Sequence, residues 1–400
     1  MFLQIKQVKV MISANLRSLP RRLWISLSMV LSVALVVAVL TGFLAMAKGF
    51  ETALAGNGSA RIAVILGGGT NQETSSDIPS GVVRSLQATS ADLGLTRDDT
   101  GAVLFSREIV VPVEIQSDAN GTLLTLAMRG MDFTGIELRK SAAVAVGRSF
   151  TPGTREIVVG RDLAARTGVF GIGERVRLGA VDWQVVGHFE AGGGAMESEI
   201  WGGLEAVQSA FDRMGQVQIL RASLAGSDGL EVLQAALPTL SQTPLTAVTE
   251  VQLLSAQSAR TSTLIRMFGW PLAILMSIGA TVGAINTMMT SVANRSMEIA
   301  TVRTLGFSRL SAFAGTWVEA VVLSAFGALL GAVASWLVFN GWQASTVGPN
   351  NTTTAFQLEV SLNVLRDGAL LGVAIGMVGG ALPALSATRV KLASALRSAG

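Results

Sequence analysis

Cysteine is absent from the chain. That excludes disulfides, thiolate metal sites and cysteine nucleophiles. Tyrosine is absent as well, and His188 is the single histidine. Most catalytic constellations need a base that titrates near neutrality, and imidazole is the side chain that does so unperturbed. A chain with one such group is a poor candidate for an enzyme. Charge is scarce: Asp, Glu, Lys and Arg make up 14% of the residues, against about 25% in a soluble domain. The net charge is only +3. No basic patch interleaved with aromatics appears, so no nucleic-acid partner is expected. The lysines are Lys6, Lys9, Lys48, Lys140 and Lys391, and none follows a glycine. A phosphate-binding loop needs a lysine directly after its last glycine. The glycine runs 67–69 and 192–194 are therefore read as loops, and the chain is not expected to hold ATP in that manner.

What is present is apolar. Half the residues belong to the hydrophobic class. A membrane helix takes about 20 such residues, and four segments qualify: 23–47, 267–292, 312–339 and 367–388. The first two carry no charge, the third carries Glu319, and the fourth has Pro383 near its end. Segment 23–47 follows Lys6, Lys9, Arg17, Arg21 and Arg22 and ends at Ala45-Met46-Ala47, which has the look of a signal cleavage site. A secretory apolar core spans only about 7–15 residues, so a retained span is expected.

Lysine and arginine placement sets orientation. The N-terminal segment 1–22, read as an amphipathic helix, carries five basic residues. Segment 293–311 carries Arg295, Arg303 and Arg309, and the tail 389–400 carries Arg389, Lys391 and Arg397. Residues 340–365 carry none. Both termini and 293–311 are thus expected in the cytoplasm. Segment 340–366 is expected to be a short external loop, and 48–266 to lie outside. Glycines four apart let helix backbones approach closely in lipid. Gly279 and Gly283, Gly327 and Gly331, and Gly372, Gly376 and Gly380 are accordingly expected to form packing faces. Glu319 lies about two turns into its span. A lone carboxylate there is costly and often functional, but it can also snorkel or accept hydrogen bonds near a helix N-terminus. A structural or coupling role is expected over proton transfer.

The external segment mixes strands and helices. Strands are read at 61–66, 103–115, 123–129, 156–159 and 217–223, with 175–178 and 183–189 as a hairpin. The strands 103–115 and 123–129 flank the turn Asp118-Ala119-Asn120-Gly121. Helices are read at 80–89, 161–167, 204–213 and 229–237. This pattern predicts an α+β domain in two lobes. A helix over 250–267 is expected to run uninterrupted into the second span. His188 lies in a strand and is read as structural. Glu197 and Glu199 alternate before Ile200 and Trp201, and either line a site or edge a strand facing water.

The stretch 294–310 reads NRSMEIATVRTLGFSRL. Its spacing suits a short helix ended by Gly306, with Glu298 and Arg303 free to face a partner. The stretch resembles the cytoplasmic loop of the MacB/FtsX permeases of ABC transporters. Glu298, Ile299, Arg303, Leu305 and Gly306 match the family pattern, and Met297 stands where a basic residue is common. Glu319 matches a glutamate a few residues into the third span. Pro383, Arg389 and Ala395-Leu396-Arg397 are similar to the family's C-terminal end, with Leu392 replacing a proline. The stretches REIVVG at 155–160 and WQVVGHFEAGGGAMESEIW at 183–201 look like its periplasmic core domain.

The resemblance implies an α-helical, multi-pass protein of the bacterial inner membrane, with four transmembrane helices and a large α+β extracytoplasmic domain between helices 1 and 2. It implies a non-catalytic permease subunit that binds no cofactor itself, with ATP and Mg on a partner ABC ATPase. It further implies a second permease chain, as homodimer or heterodimer, contact with membrane lipid, and a periplasmic adaptor as a further partner. Coupling to the ATPase would pass through Arg295, Glu298, Arg303 and Gly306. The implied function is export or efflux by mechanotransmission, in which ATP hydrolysis on the partner moves the periplasmic domain. Two alternatives within the family are lipoprotein release, for which KGFETAL at 48–54 is reminiscent, and regulation of cell-wall hydrolases, whose members usually have a smaller external domain.

Overall fold

A computed structural model describes residues 2–18, 23–56, 58–88, 92–116, 121 and 123–389. Arg21, Arg22, the turn residues Asp118–Asn120, and the tail 390–400 with Lys391, Leu392 and Arg397 lie outside the described residues. The chain opens with α1 (Phe2–Ser18) and α2 (Leu23–Ala55). Then come β1 (Ile62–Gly67), α3 (Ser80–Ala88), β2 (Phe105–Gln116), β3 (Leu123–Met131), α4 (Thr134–Leu138), β4 (Ala143–Gly147) and β5 (Glu156–Gly160). These are followed by α5 (Arg161–Thr167), β6 (Arg175–Leu178), β7 (Val181–Glu190), β8 (Glu199–Gly203), α6 (Leu204–Ala210), β9 (Ile219–Ser223), α7 (Gly229–Leu240) and β10 (Leu245–Thr249). The last elements are α8 (Glu250–Asn294), α9 (Ser296–Thr304), α10 (Arg309–Phe339), β11 (Gln343–Val347), β12 (Thr353–Gln357) and α11 (Leu362–Thr388).

Two compact units result. The helical unit comprises residues 1–48, 264–342 and 358–400. Among the described residues, α2, α8, α10 and α11 are long and apolar enough to cross a membrane. On α2, Met29, Val33, Val36, Val37, Leu40 and Leu44 are buried, the spacing of one helix face. Met29, Val33, Val36 and Val37 meet Ala284, Ala320, Ala328 and Ile375 from the other three long helices, and Leu40 and Leu44 meet Ala273 and Val364. The Ser308 hydroxyl caps α10 by accepting from the Ser311 N–H, which satisfies one of the free amides of the first turn.

The second unit comprises residues 49–263 and 343–357. Its sheet runs β10-β1-β9-β2-β3-β8-β5-β7-β4, with β6 paired to β7. Most neighbours are antiparallel; β3–β8 and β5–β7 are parallel. The expected two lobes are instead one continuous sheet carrying several apolar clusters, two of them covered by helices. In one, α3 and α7 cover β1, β9 and β10 through Val82, Leu86, Leu233 and Leu237. In the other, Leu163, Leu204 and Val207 of α5 and α6 pack on Ile109, Met128, Ile157 and Trp183. Burying each such side chain contributes about 1.5–3 kcal/mol. The join is the β2–β9 ladder, Phe105↔Ala222 to Glu108↔Ile219. Because β2 pairs with β9 along one edge and with β3 along the other, the sheet has no gap at which to divide.

Residues 340–366 are not a plain loop. β11 and β12 form an antiparallel hairpin, Ser345 facing Ala355, and the hairpin belongs to the second unit. Its turn is Pro349–Asn351, where Asn350 and Asn351 adopt φ of 61° and 57°. Asparagine is among the few residues with a side chain that enter this left-handed region readily.

Candidate functional site

In the helical unit, α9 follows α8 after a single intervening residue, Arg295. Ile299 and Ala300 are buried, where Ile299 joins Met11, Val292, Ala312 and Ala387. The opposite side is exposed at Met297, Glu298, Thr301, Thr304 and Leu305. Gly306 ends the helix with φ of 96°, and nothing lies within 4 Å of a Cβ placed on it. Its carbonyl accepts from Gln7 Nε2 of α1 at 3.3 Å.

The four residues expected to couple to a partner divide. Glu298 and Gly306 are on the surface. Arg303 is half-buried and donates from Nη1 to the Thr388 carbonyl at 3.0 Å, a cation on the exposed carbonyls at the end of α11. Arg295 is corrected: it faces inward, 6% exposed. It donates to Glu319 Oε2 at 2.8 Å and to Asn15 Oδ1 at 2.5 Å, and reaches Glu298 at 3.4 Å. A buried guanidinium needs a buried counter-charge, and Glu319 supplies it. Glu319 thereby ties α10 to the α8–α9 corner.

The glycines also divide. A Cβ on Gly327 would sit 2.7 Å from the Val30 carbonyl oxygen, and on Gly331 2.4 Å from that of Ala34. On Gly372, Gly376 and Gly380 it would meet Ala328, Ser324 and Ala320 at 2.6, 2.5 and 2.5 Å. These positions hold α10 against α2 and α11 against α10. Gly279 and Gly283 make no such close approach within the described residues: nothing lies within 4 Å of a Cβ on either. They point away from the bundle. α8 meets α11 through Ala284 and Thr281, opposite Gly379.

The second unit holds a buried ionic cluster. Glu108 of β2 is 0% exposed and is surrounded by three arginines. Arg139 approaches at 2.7 Å, Arg129 at 3.1 Å and Arg221 at 3.2 Å. Arg129 also pairs with Glu73 at 2.9 Å and Glu199 at 2.7 Å. Arg221 pairs with Glu250 as well. Four carboxylates thus face three guanidiniums. Glu250 is the first residue of α8, where the positive end of the helix dipole favours an anion, and it accepts from the Ser59 N–H at 2.9 Å. Asn350 of the hairpin donates to Glu73 Oε2 at 3.1 Å, and its Oδ1 accepts from the Thr74 N–H and hydroxyl, both at 3.2 Å. A cavity of about 60 Å³ opens beside the cluster, walled also by Leu54, Leu253 and Leu254.

The electrostatics lock these charges in place. Burial alone would raise the Glu108 carboxyl, but the Arg139 and Arg221 guanidiniums outweigh it and hold the group far below the usual carboxylate range. Burial opposes the charge on Arg129, and Glu199 and Glu73 reverse the balance, raising it well above the usual arginine value. Glu199 is lowered by Arg129 against its own desolvation. Groups so firmly charged are poor proton donors or acceptors at neutral pH. Their effect is to bind together β2, β3, β8, β9, the first turn of α8 and the hairpin.

Glu197 and Glu199 do not edge a strand facing water. Glu197 is buried and accepts from the Ala191 and Gly193 amides at 2.7 Å, and Glu199 lies in the cluster. His188 Nε2 shares a 2.7 Å hydrogen bond with the Phe170 carbonyl. Among the described residues, no group of three or more histidines and carboxylates is placed to hold a metal. Glu73, Glu108, Arg129, Arg139, Arg221, Glu250 and Asn350 are not singled out by sequence reasoning. One signal was available: Arg129 in LLTLAMRGM and Arg221 in ILRAS are lone charges in otherwise uncharged strands.

Two family models match the chain: the MacB-like periplasmic core domain over residues 26–240 and the FtsX-like permease C-terminal domain over residues 271–392. Among solved structures, the chain is similar to the periplasmic region of MacB from Actinobacillus actinomycetemcomitans. That match has a TM-score of 0.38 and 10% identity, and covers 50% of this chain and 94% of the other. No curated protein matches the chain.

Proposed function

This chain belongs to the MacB/FtsX-type permeases, membrane subunits of ABC transporters, and from that premise we propose that it converts ATP hydrolysis on a separate ATPase into movement of its own external domain. In this reading α2, α8, α10 and α11 span the bacterial inner membrane. Both termini and α9 lie in the cytoplasm, and the sheet domain lies in the periplasm. The partner ATPase holds ATP and Mg and docks on the exposed side of α9, at Glu298, Thr301, Leu305 and Gly306. Arg295 and Glu319 brace that corner from inside. A second permease chain, identical or divergent, completes the assembly, and export or efflux is the work done.

One observation carries the reading. α8 is a single helix from Glu250 to Asn294. Its first residue is an ion-pair member of the cluster, and its last abuts Arg295 and α9. A continuous helix transmits displacement along its axis because its backbone amides are bonded to the turn before them; in α8 the ladder lacks one such bond, at Pro271, which has no N–H. A shift at α9 is thereby delivered to the ionic cluster.

Co-expression with the ATPase tests this. Glu298→Arg should abolish co-purification of the ATPase and the stimulation of its turnover, while the chain still inserts. Unchanged capture and turnover would overturn the docking site. Single cysteines at Thr301 and Val146, introduced into a chain that has none, should react with impermeant maleimide on opposite sides of the membrane. Same-side labelling would overturn the orientation.

A further inference from the structure

α1 is held in the helical unit by one side only. Met11 is 7% exposed and Asn15 2%. Met11 packs in an apolar cluster with Val292 and Ala312, and Asn15 accepts from the buried Arg295. The other side carries Lys6, Lys9, Val10 and Arg17, all exposed, with Val10 at 57%. α1 contains no acidic residue. Lys6, Lys9 and Arg17 make no hydrogen bond or ion pair among the described residues. Arg309 adds a fourth exposed cation. It follows Ser308, whose N–H donates to Gln7 of α1 at 3.3 Å.

We propose that this side of α1 is a docking surface for anionic phospholipid headgroups of the cytoplasmic leaflet. The proposal rests on the orientation given above, in which α1 is cytoplasmic. Charge complementarity is the argument: cations without protein partners among the described residues, and no acid on their own helix to neutralise them. Val10 between the cations decides for lipid over an acidic protein surface. Basic residues flanking an exposed apolar one suit the boundary between headgroups and acyl chains. Four Lys/Arg beside a membrane span reach the range at which anionic lipids are selected. Since Asn15 joins α1 to the Arg295–Glu319 pair, headgroups bound here would act on the same corner that carries α9.

The test uses the full chain in nanodiscs of equimolar phosphatidylglycerol and phosphatidylcholine. Lipids retained after transfer to detergent are counted by native mass spectrometry. The wild type should retain phosphatidylglycerol preferentially. Each neutralised cation should weaken headgroup binding by about five-fold, so K6Q/K9Q/R17Q should lose the preference and K6R/K9R/R17K should keep it. Circular dichroism and monodispersity confirm that the variants fold. Equal retention of both lipids by the wild type would overturn the proposal, as would an unchanged preference in K6Q/K9Q/R17Q. Unchanged lipid retention with lost ATPase capture would assign the surface to the protein partner instead. A cysteine at position 9 that labels only from outside would remove the orientation as well. Cytoplasmic labelling without lipid preference would remove this proposal alone.

Discussion

Arg295 and Glu319 form a buried ion pair at 2.8 Å between the α8–α9 corner and α10. Removing one partner leaves the other charge uncompensated, which costs about 3–5 kcal/mol. Glu319→Ala should therefore destabilise the helical unit strongly. The double swap Arg295→Glu with Glu319→Arg should recover part of the loss. Unfolding in mixed micelles measures both, and equal stability of Glu319→Ala and wild type would refute the pairing.

Glu108 is the shared anion of three arginines. Glu108→Gln keeps the shape and removes the charge, stranding Arg139 without its closest counter-ion and leaving Arg221 to Glu250 and Glu73. A loss of about 3–5 kcal/mol in the sheet domain is expected, read by hydrogen exchange of β2 and β9. Glu205→Gln, at an exposed partner of Arg107, should cost less than about 1 kcal/mol.

Acid should act on the same cluster. Glu108 and Glu199 have carboxyls held below their ordinary 4.5. A group whose folded value is depressed contributes stability above the unfolded value, and loses it as pH falls through the folded one. The sheet domain should keep an even unfolding temperature from neutrality to about pH 5 and lose stability progressively below about 4.5. A thermal scan across pH that stays flat to pH 3 would contradict this.

Asn350 holds the β11–β12 turn against Glu73 and Thr74 in a left-handed backbone. Asn350→Gly removes the side-chain bonds and relaxes the backbone, whereas Asn350→Ala removes the bonds and keeps the strain. Both should loosen the hairpin, alanine more than glycine by about 1 kcal/mol. Hydrogen exchange at residues 343–357 is the readout. Cysteines at Asn350 and Thr74 should cross-link readily, with no native thiol to compete.

Glycines on α10 and α8 should respond differently. Gly331→Ala forces a Cβ onto the Ala34 backbone and should cost about 1–3 kcal/mol. Gly283→Ala meets open space and should leave the fold of the single chain unchanged. Circular dichroism melts of the two variants should separate them.

Local spacing already carried the helical unit. Uninterrupted apolar runs require helices, because a backbone in lipid must satisfy its own hydrogen bonds. The loop 294–310 was legible for the same reason: Gly306 is where an L-residue would be strained. Arg295 was not legible, because its neighbours in sequence do not reveal that Glu319, 24 residues on, lies within reach. The hairpin at 343–357 is not legible in the sequence, because its short strands carry little apolar contrast and its attachment is to residues far away in the chain.

Composition and local pattern alone determined that this protein has four long apolar segments, an α+β domain between the first two and no thiol chemistry. Those properties depend on single residues or on neighbours a few positions apart. Only the tertiary structure decided which charges lie inside and what they face. Glu73 and Asn350 are bonded across 277 positions, and Arg221 reaches Glu108 because β9 lies beside β2. Ion pairing falls off with distance in space, and that distance is set by strand order rather than by position along the chain.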